Sequence, residues 1–111
     1  GALSSAASDV YKRQVMDRKA NPEEGSYTAY LFGKGEEKIL KKVGEECTEV
    51  IIASLSQDKE HLIGEMGDLL YHLCVLMAQK DVSWHEVEAE LAKRSLKKHN
   101  LKAERRPVEN Y

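Results

Sequence analysis

The chain has 111 residues, of which 41% are hydrophobic and 32% charged, so it is predicted to form one soluble domain with a core of modest size. Its 17 basic residues are balanced by 19 acidic ones, and only 6% of residues are aromatic, which argues against nucleic acid as a partner. No apolar stretch reaches the roughly 18 residues of a membrane span. We therefore expect no membrane partner and a cytoplasmic location.

The first segment of the chain is expected to be foreign to the protein. Residues 4–14, SSAASDVYKRQ, resemble the translation of a transposase adaptor from sequencing libraries. We predict that residues 1–14 are a non-native extension and assign no function to them. Native sequence would then resume at Val15, near the end of a helix that Asn21 and Pro22 close, because a residue before proline disfavours helical backbone.

A short helical segment is predicted after Gly25. Ser26 has the side chain of a good N-cap, since its hydroxyl can accept a hydrogen bond from the first turn. Gly33 and Gly35 are expected to break this segment. The loop that follows would lie close in sequence to the first acidic motif.

The clearest helical period runs from Glu36 to about Leu55. Apolar side chains gather on one side, and lysines and carboxylates gather on nearly the opposite side. The apolar set is Leu40, Val43, Cys47, Val50 and Ile51, and the polar set is Lys38, Lys41, Lys42, Glu45 and Glu49. Because the lysines precede the carboxylates by one to two turns, this side could hold phosphate at one end and metal at the other. The alternative is that lysines and carboxylates four residues apart form ordinary ion pairs.

Two acidic motifs carry the chemistry, Glu45-Glu46-x-x-Glu49 and Glu65-x-x-Asp68. Each helical residue advances by about 100°, so each motif places its carboxylates close together on its helix. Crowded like charges raise the energy of the ionised state unless a cation lies between them. Hard oxygen ligands of this kind suit Mg²⁺ or Mn²⁺. The motifs therefore predict a divalent metal site, and the alternative is that the glutamates form a solvated helix face.

A second long helix is predicted over residues 59–79, with Asp58 as its N-cap. Its second half is apolar almost all round, which is typical of a buried helix. Asp68 would then be a charge at the edge of a buried helix, which is costly unless it is paired or metal-bound. His72 lies on the same side as the acidic motif and is interpreted as a hydrogen-bond partner that supports a metal ligand.

The last strong helix is predicted from Ser83, which can form a capping box with Glu86, to about Lys98. Residues 102–111 are expected to be a flexible tail. No strand pattern occurs anywhere in the sequence. The fold class predicted from the helices is therefore all-α.

The two cysteines, Cys47 and Cys74, fall on different helices and lack Cys-x-x-Cys spacing. Each lies on the apolar side of its predicted helix, and free cysteine is among the most buried residue types. Both are predicted to be buried small hydrophobes without a catalytic role.

Taken together, these motifs resemble the phosphoribosyl-ATP pyrophosphatase family of histidine biosynthesis, within the all-α, MazG-like NTP pyrophosphatase superfamily. The resemblance covers about residues 15–101, the expected native domain. It rests on the two acidic motifs and on GSYT at 25–28, KILKKVGEE at 38–46 and DLLYH at 68–72. It implies a helical bundle completed by homodimerisation, and Mg²⁺-dependent hydrolysis of phosphoribosyl-ATP to phosphoribosyl-AMP and pyrophosphate.

The resemblance also assigns roles to individual residues. The implied metal ligands are Glu45, Glu46, Glu49, Glu65 and Asp68, and the catalytic candidates among them are Glu45, Glu46 and Glu49. Substrate contacts are expected from Ser26, Tyr27, Thr28, Lys38, Lys41 and Lys42. Which carboxylate accepts the proton stays open. Gly64 and Gly67 depart from the family pattern, and they either leave room near the metal or only loosen the helix.

Two alternatives stay open from the sequence. A nucleoside triphosphate pyrophosphatase of the same superfamily would use the same acids on another nucleotide, although the GSYT segment beside the lysine-rich helix favours phosphoribosyl-ATP. A non-catalytic helical dimerisation module would explain the amphipathic period but not acidic residues on so apolar a helix. Metal-dependent pyrophosphate release from a panel of substrates separates the three.

Overall fold

The structure is a computed structural model that describes residues 6–96, apart from the side chains of residues 6–8 and 11. The described residues form helices and no strand, which confirms the predicted all-α class. The helices are α1 (Ala6–Ala20), α2 (Tyr27–Lys34), α3 (Glu36–Leu55), α4 (Lys59–Gln79) and α5 (Trp84–Leu96). They divide into two compact units after Asp81, the first with α1 to α4 and the second with α5.

The predicted limits of the two long helices are confirmed, and so are the caps. Asp58 accepts a hydrogen bond at 3.1 Å from the backbone N–H of His61 and thereby caps α4. Ser26 accepts one at 3.2 Å from the backbone N–H of Ala29 and caps α2. Each bond satisfies an N–H group that has no partner within its helix.

The end of α2 differs from the prediction, because Gly33 does not interrupt it. The helix continues to Lys34 and ends at Gly35, whose backbone N–H donates to the carbonyl of Leu31 at 3.1 Å. Gly35 has φ 94°, in the left-handed region that favours glycine. This one residue separates α2 from α3, which begins at the next position.

α1 is continuous across the predicted junction between residues 14 and 15. Val15, the first residue after this junction, is buried. The side chain of Lys19 donates to the carbonyl oxygen of Ala78, so a positive charge lies at the C-terminal end of α4. The non-native origin of residues 1–14 stays a prediction. The predicted tail, 102–111, and the predicted end of the last helix at Lys98 lie outside the described residues.

The core of the first unit lies where its helices meet. Its largest fully buried side chains are Leu31 from α2, Ile39 from α3 and Val75 from α4. The most extensive packing is between α3 and α4. None of the described helices is long and apolar enough to cross a membrane.

The apolar side predicted for α3 is not the side that packs in the first unit. Leu40 and Ile51 are 47% and 62% exposed, whereas Ile39 and Ala53 are buried. Cys47 is exposed, so its predicted burial is wrong, while the other cysteine is buried as predicted. The physical reason is that α3 has apolar residues on two sides, and the helical period does not say which side meets α4.

The second unit starts with the predicted capping box, which is confirmed. The hydroxyl of Ser83 accepts from the backbone N–H of Glu86 at 3.1 Å, and the carboxylate of Glu86 accepts from the backbone N–H of Ser83 at 2.9 Å. Hydrogen bonds from Ser83, the backbone one foremost, lower the pKa of Glu86. Both bonds satisfy backbone N–H groups at the start of α5.

Candidate metal centre

Carboxylates from α3 and α4 converge on one point. Glu46 of α3 and Glu65 and Asp68 of α4 each offer an oxygen within 4.8 Å of the others. Mg²⁺ holds its oxygen ligands at about 2.1 Å, so the three oxygens would move closer together to share one ion. Hard oxygen donors crowded together in this way fit a divalent cation.

Glu46 joins this group because of its position on α3. The buried residues of the helix, Ile39, Glu46 and Ala53, are spaced seven apart, and residues seven apart lie on one side of a helix. Glu46 is 8% exposed and lies in that buried line. Glu45 and Glu49 are exposed, and the described residues do not bring them into the carboxylate group. Three of the five predicted ligands therefore meet.

The costly charge expected at Asp68 is found at Glu46 instead. Asp68 is exposed, and Glu46 is the buried carboxylate. The prediction that Asp68 is a charge at a buried helix edge is wrong, because the buried residues of α4 begin one turn later at His72. The desolvation argument for a cation therefore applies to Glu46.

Lys42 places a positive charge beside the first acidic motif. Its Nζ lies 3.1 Å from Oε2 of Glu45 and 3.6 Å from Oε1 of Glu46. The hydrogen bond between Lys42 and Glu45 lowers the pKa of Glu45 and raises that of Lys42. Lys41 and Lys38 contribute smaller coulombic effects that also lower the pKa of Glu45. The ordinary ion pairing that the sequence left open therefore holds for Lys42.

The hydroxyls of the GSYT segment are engaged within the chain. The hydroxyl of Ser26 caps α2. The hydroxyl of Tyr27 lies 3.1 Å from Nε2 of His72, and the hydroxyl of Thr28 is hydrogen-bonded to that of Tyr71. Two consecutive residues of α2 are thus bonded to two consecutive residues of α4. The segment docks the start of α2 onto α4, one turn from Asp68.

His72 is buried, at 5% exposure, and both of its ring nitrogens have partners. Nδ1 lies 2.7 Å from the backbone carbonyl oxygen of Asp68. A carbonyl oxygen only accepts, so Nδ1 carries a proton and, in the neutral ring, Nε2 accepts from the hydroxyl of Tyr27. The predicted support of a metal ligand therefore runs to the main chain of Asp68 and not to its carboxylate.

Two contacts of this region were not assigned from the sequence. Nε2 of His61 lies 3.4 Å from Oε1 of Glu65, one turn along α4, and the i,i+4 spacing is a signal that could have found this pair. Tyr71 meets Thr28 across 43 positions of sequence, for which no local pattern exists.

The fold and the carboxylate group define a helical protein with a site suited to a divalent cation. A family model described as phosphoribosyl-ATP pyrophosphohydrolase matches residues 9–95. A phosphoribosyl-ATP pyrophosphatase from Clostridium acetobutylicum is 58% identical over 96 residues, which is 86% of this chain and 87% of the relative. One from Bacillus thuringiensis is 58% identical over 81 residues, 73% of this chain and 76% of the relative.

The chain belongs to the phosphoribosyl-ATP pyrophosphohydrolase family. This membership confirms the family predicted from the sequence, and with it the predicted class of enzyme, a hydrolase acting on an acid anhydride.

Proposed function

We propose that this chain hydrolyses phosphoribosyl-ATP between the α and β phosphates, with Mg²⁺, and yields phosphoribosyl-AMP and pyrophosphate in histidine biosynthesis. The observation that carries the proposal is the convergence of Glu46, Glu65 and Asp68 in a chain of this family. The substrate is taken from the name of the relatives, phosphoribosyl-ATP pyrophosphatase.

Glu46, Glu65 and Asp68 are the residues that would hold the ion, and Mn²⁺ could take the place of Mg²⁺. A divalent ion bound there would neutralise phosphate charge and act as a Lewis acid. The reaction joins the oxygen of water to phosphorus and breaks the anhydride bond. Pyrophosphate leaves with the bridging oxygen, and the protein must take up a proton from the water.

The lysines of α3 are proposed to bind the phosphates. Negative charge gathers on the departing pyrophosphate, so a fixed positive charge beside it lowers the barrier. Lys42 lies beside Glu46, and its raised pKa, caused first by the hydrogen bond to Glu45, keeps it charged. Lys38 and Lys41 precede it on the same helix and stay predicted phosphate contacts.

A carboxylate is proposed to accept the proton of the attacking water. Glu45, Glu46 and Glu49 are the candidates. Lys42 lowers the pKa of Glu45 by hydrogen bonding, so Glu45 is a weaker base than an ordinary glutamate. This counts against Glu45 as the base. The roles of Glu45 and Glu49 as further metal ligands stay predictions, as do substrate contacts by Ser26, Tyr27 and Thr28.

We also propose that two copies of the chain form a homodimer. Large apolar side chains of α3 and α4 are between 45% and 84% exposed, namely Leu40, Ile51, Ile52, Leu55, Ile63, Met66 and Leu70. A symmetric second copy would remove this surface from water and complete a helical bundle. Light scattering at micromolar concentration tests this, and a monomer would count against it. The cytoplasmic location and the absence of a nucleic acid partner stay predictions.

Pyrophosphate release from a panel of nucleotides, with and without Mg²⁺, tests the proposed activity. Phosphoribosyl-ATP should give the highest kcat/KM, and chelation of the metal should abolish turnover. Faster release from a deoxynucleoside triphosphate would overturn the substrate but keep the chemistry. No release from any nucleotide, by a chain that is folded, would favour the non-catalytic helical module.

A further inference from the structure

Tyr27 contacts α4, the helix that carries two of the three carboxylates of the group. Its ring meets that of His72 edge-on at 5.8 Å between centroids, and its hydroxyl is hydrogen-bonded to the same residue of α4. Three charged residues of α3, Lys42, Glu46 and Glu45, act on Tyr27 electrostatically. Burial is the main cause of the raised pKa of Tyr27. The charge of Lys42 lowers this pKa, and the charge of Glu46 raises it further. Tyr27 therefore contacts α4 one turn from Asp68 and lies within electrostatic range of Glu46.

A continuous set of hydrogen bonds leads from Tyr27 to the second acidic motif. The phenol bonds Nε2 of His72, and Nδ1 of the same ring bonds the carbonyl oxygen of Asp68. That carbonyl belongs to the helical turn that carries Glu65 and Asp68. The neighbouring bond between Thr28 and Tyr71 holds the same two helices together.

We propose that Tyr27 is a positioning residue, which holds His72 and through it the turn of α4 that presents Glu65 and Asp68. Its hydroxyl would then serve the metal site and not the substrate, whereas the family resemblance implied a substrate contact. His72 is 5% exposed, so without the phenol its Nε2 would be a buried acceptor with an unfilled hydrogen bond. The inference rests on the proposed metal site.

Binding of Mn²⁺ alone, without substrate, measures this role by the loss of the free-ion electron paramagnetic resonance signal. Tyr27→Phe keeps the ring and removes the hydroxyl. His72→Asn can keep a donor to the carbonyl of Asp68 and removes Nε2. We expect each variant to weaken Mn²⁺ binding by roughly 10-fold, the lower end of the range for direct hydrogen-bond partners of metal ligands, because both residues act through the main chain of Asp68. The double variant should be no weaker than either single one, because both break the same bond.

Tyr30→Phe is the matched control. Tyr30 lies on the same helix, and its ring stacks on that of Tyr27 with 6.0 Å between centroids. The described residues provide no hydrogen-bond partner for its hydroxyl, so Mn²⁺ affinity should stay at the wild-type value. Thermal melts test whether each variant is folded. If His72→Asn does not fold, the comparison of Mn²⁺ affinity between Tyr27→Phe and Tyr30→Phe decides the question.

Kinetics separate positioning from substrate contact. If Tyr27 positions the carboxylates, Tyr27→Phe regains activity when Mg²⁺ is raised, and its KM for phosphoribosyl-ATP at saturating Mg²⁺ equals that of the wild type. Wild-type Mn²⁺ affinity together with a raised KM at saturating Mg²⁺ would overturn the inference and restore the substrate contact. Additive losses in the double variant would also overturn it.

Glu46→Gln in the same Mn²⁺ assay shows which idea has failed. If it binds Mn²⁺ as well as the wild type, the proposed metal site is wrong and the inference falls with it. If Glu46→Gln loses Mn²⁺ while Tyr27→Phe binds normally, the metal site stands and only the positioning role is wrong.

Discussion

The two helices that supply the carboxylate group do so from different environments. On α3, Glu46 lies between the buried residues Ile39 and Ala53 and is 8% exposed. On α4, Glu65 is partly buried and Asp68 is exposed, before the buried half of the helix begins. A carboxylate therefore joins the site according to its place relative to the packed side of its helix. Membership in an acidic motif is not enough.

The largest expected effect follows from removing the buried carboxylate. Glu46→Gln keeps the shape of the side chain but loses a ligand charge, so Mg²⁺-dependent pyrophosphate release should fall by at least about 100-fold in kcat/KM. Glu37→Gln, at an exposed position in the first turn of the same helix, is the control and should leave kcat/KM unchanged. Comparable activity of Glu46→Gln and the wild type would contradict the assignment.

Asp68→Asn tests the exposed carboxylate of the group. Because Asp68 is exposed, the free energy of unfolding without metal should change by no more than about 0.5 kcal/mol. The extra stability that Mg²⁺ gives by binding the folded state should disappear. Thermal melts of the variant and the wild type, each with and without Mg²⁺, measure both effects. An unchanged Mg²⁺ increment would remove Asp68 from the site.

Glycines in the interiors of the two helices allow a paired stability test. A Cβ added at Gly44 of α3 or at Gly64 of α4 meets nothing within 4 Å. Replacement by alanine should therefore raise the free energy of unfolding by roughly 0.5–1 kcal/mol at either position. Denaturant unfolding measures the change. Destabilisation at one position would show that another chain or the metal site needs that space.

The smallest effect is a pH dependence of stability that comes from the ion pair between Lys42 and Glu45 on α3. The hydrogen bond from Lys42 lowers the folded-state pKa of Glu45 below its ordinary 4.5. A lowered folded pKa adds stability that is present above pH 4.5 and is lost as the pH falls through the folded value. The melting temperatures of wild type and Glu45→Gln should thus differ slightly at neutral pH and converge in acid.

Glu49→Gln is the control for that series, since the described residues give Glu49 no ion pair. This variant removes a carboxylate from the same helix without breaking the bond between Lys42 and Glu45. If the melting temperatures of Glu45→Gln and the wild type change in parallel with pH through this range, the bond with Lys42 adds no stability.

Much of the fold was predictable because its signals are local. The 3.6-residue period and Asp58 define α3 and α4, and the Ser83 and Glu86 capping box defines the start of α5. The end of α2 was less predictable, because a helix tolerates Gly33 but stops at Gly35, where φ is 94°.

The site was predictable as a set of residue types and spacings, but not as a geometry. The sequence places five carboxylates on two helices, and only packing decides that Glu46 faces α4 while Glu45 does not. The bond from Tyr27 to His72 spans 45 positions of sequence, so no periodic pattern reports it. Burial of Cys47 was mispredicted for the same reason, since α3 has two apolar sides and one of them is exposed.

Mn²⁺ titration of two neighbouring variants shows which carboxylates of α3 hold the metal. Glu45→Gln and Glu46→Gln remove the same charge from adjacent positions of α3, and only Glu46 lies within the carboxylate group. We expect Glu46→Gln to lose at least about 100-fold in Mn²⁺ affinity and Glu45→Gln to stay close to the wild type. Equal losses in the two variants, or a larger loss for Glu45→Gln, would contradict a site built from Glu46, Glu65 and Asp68.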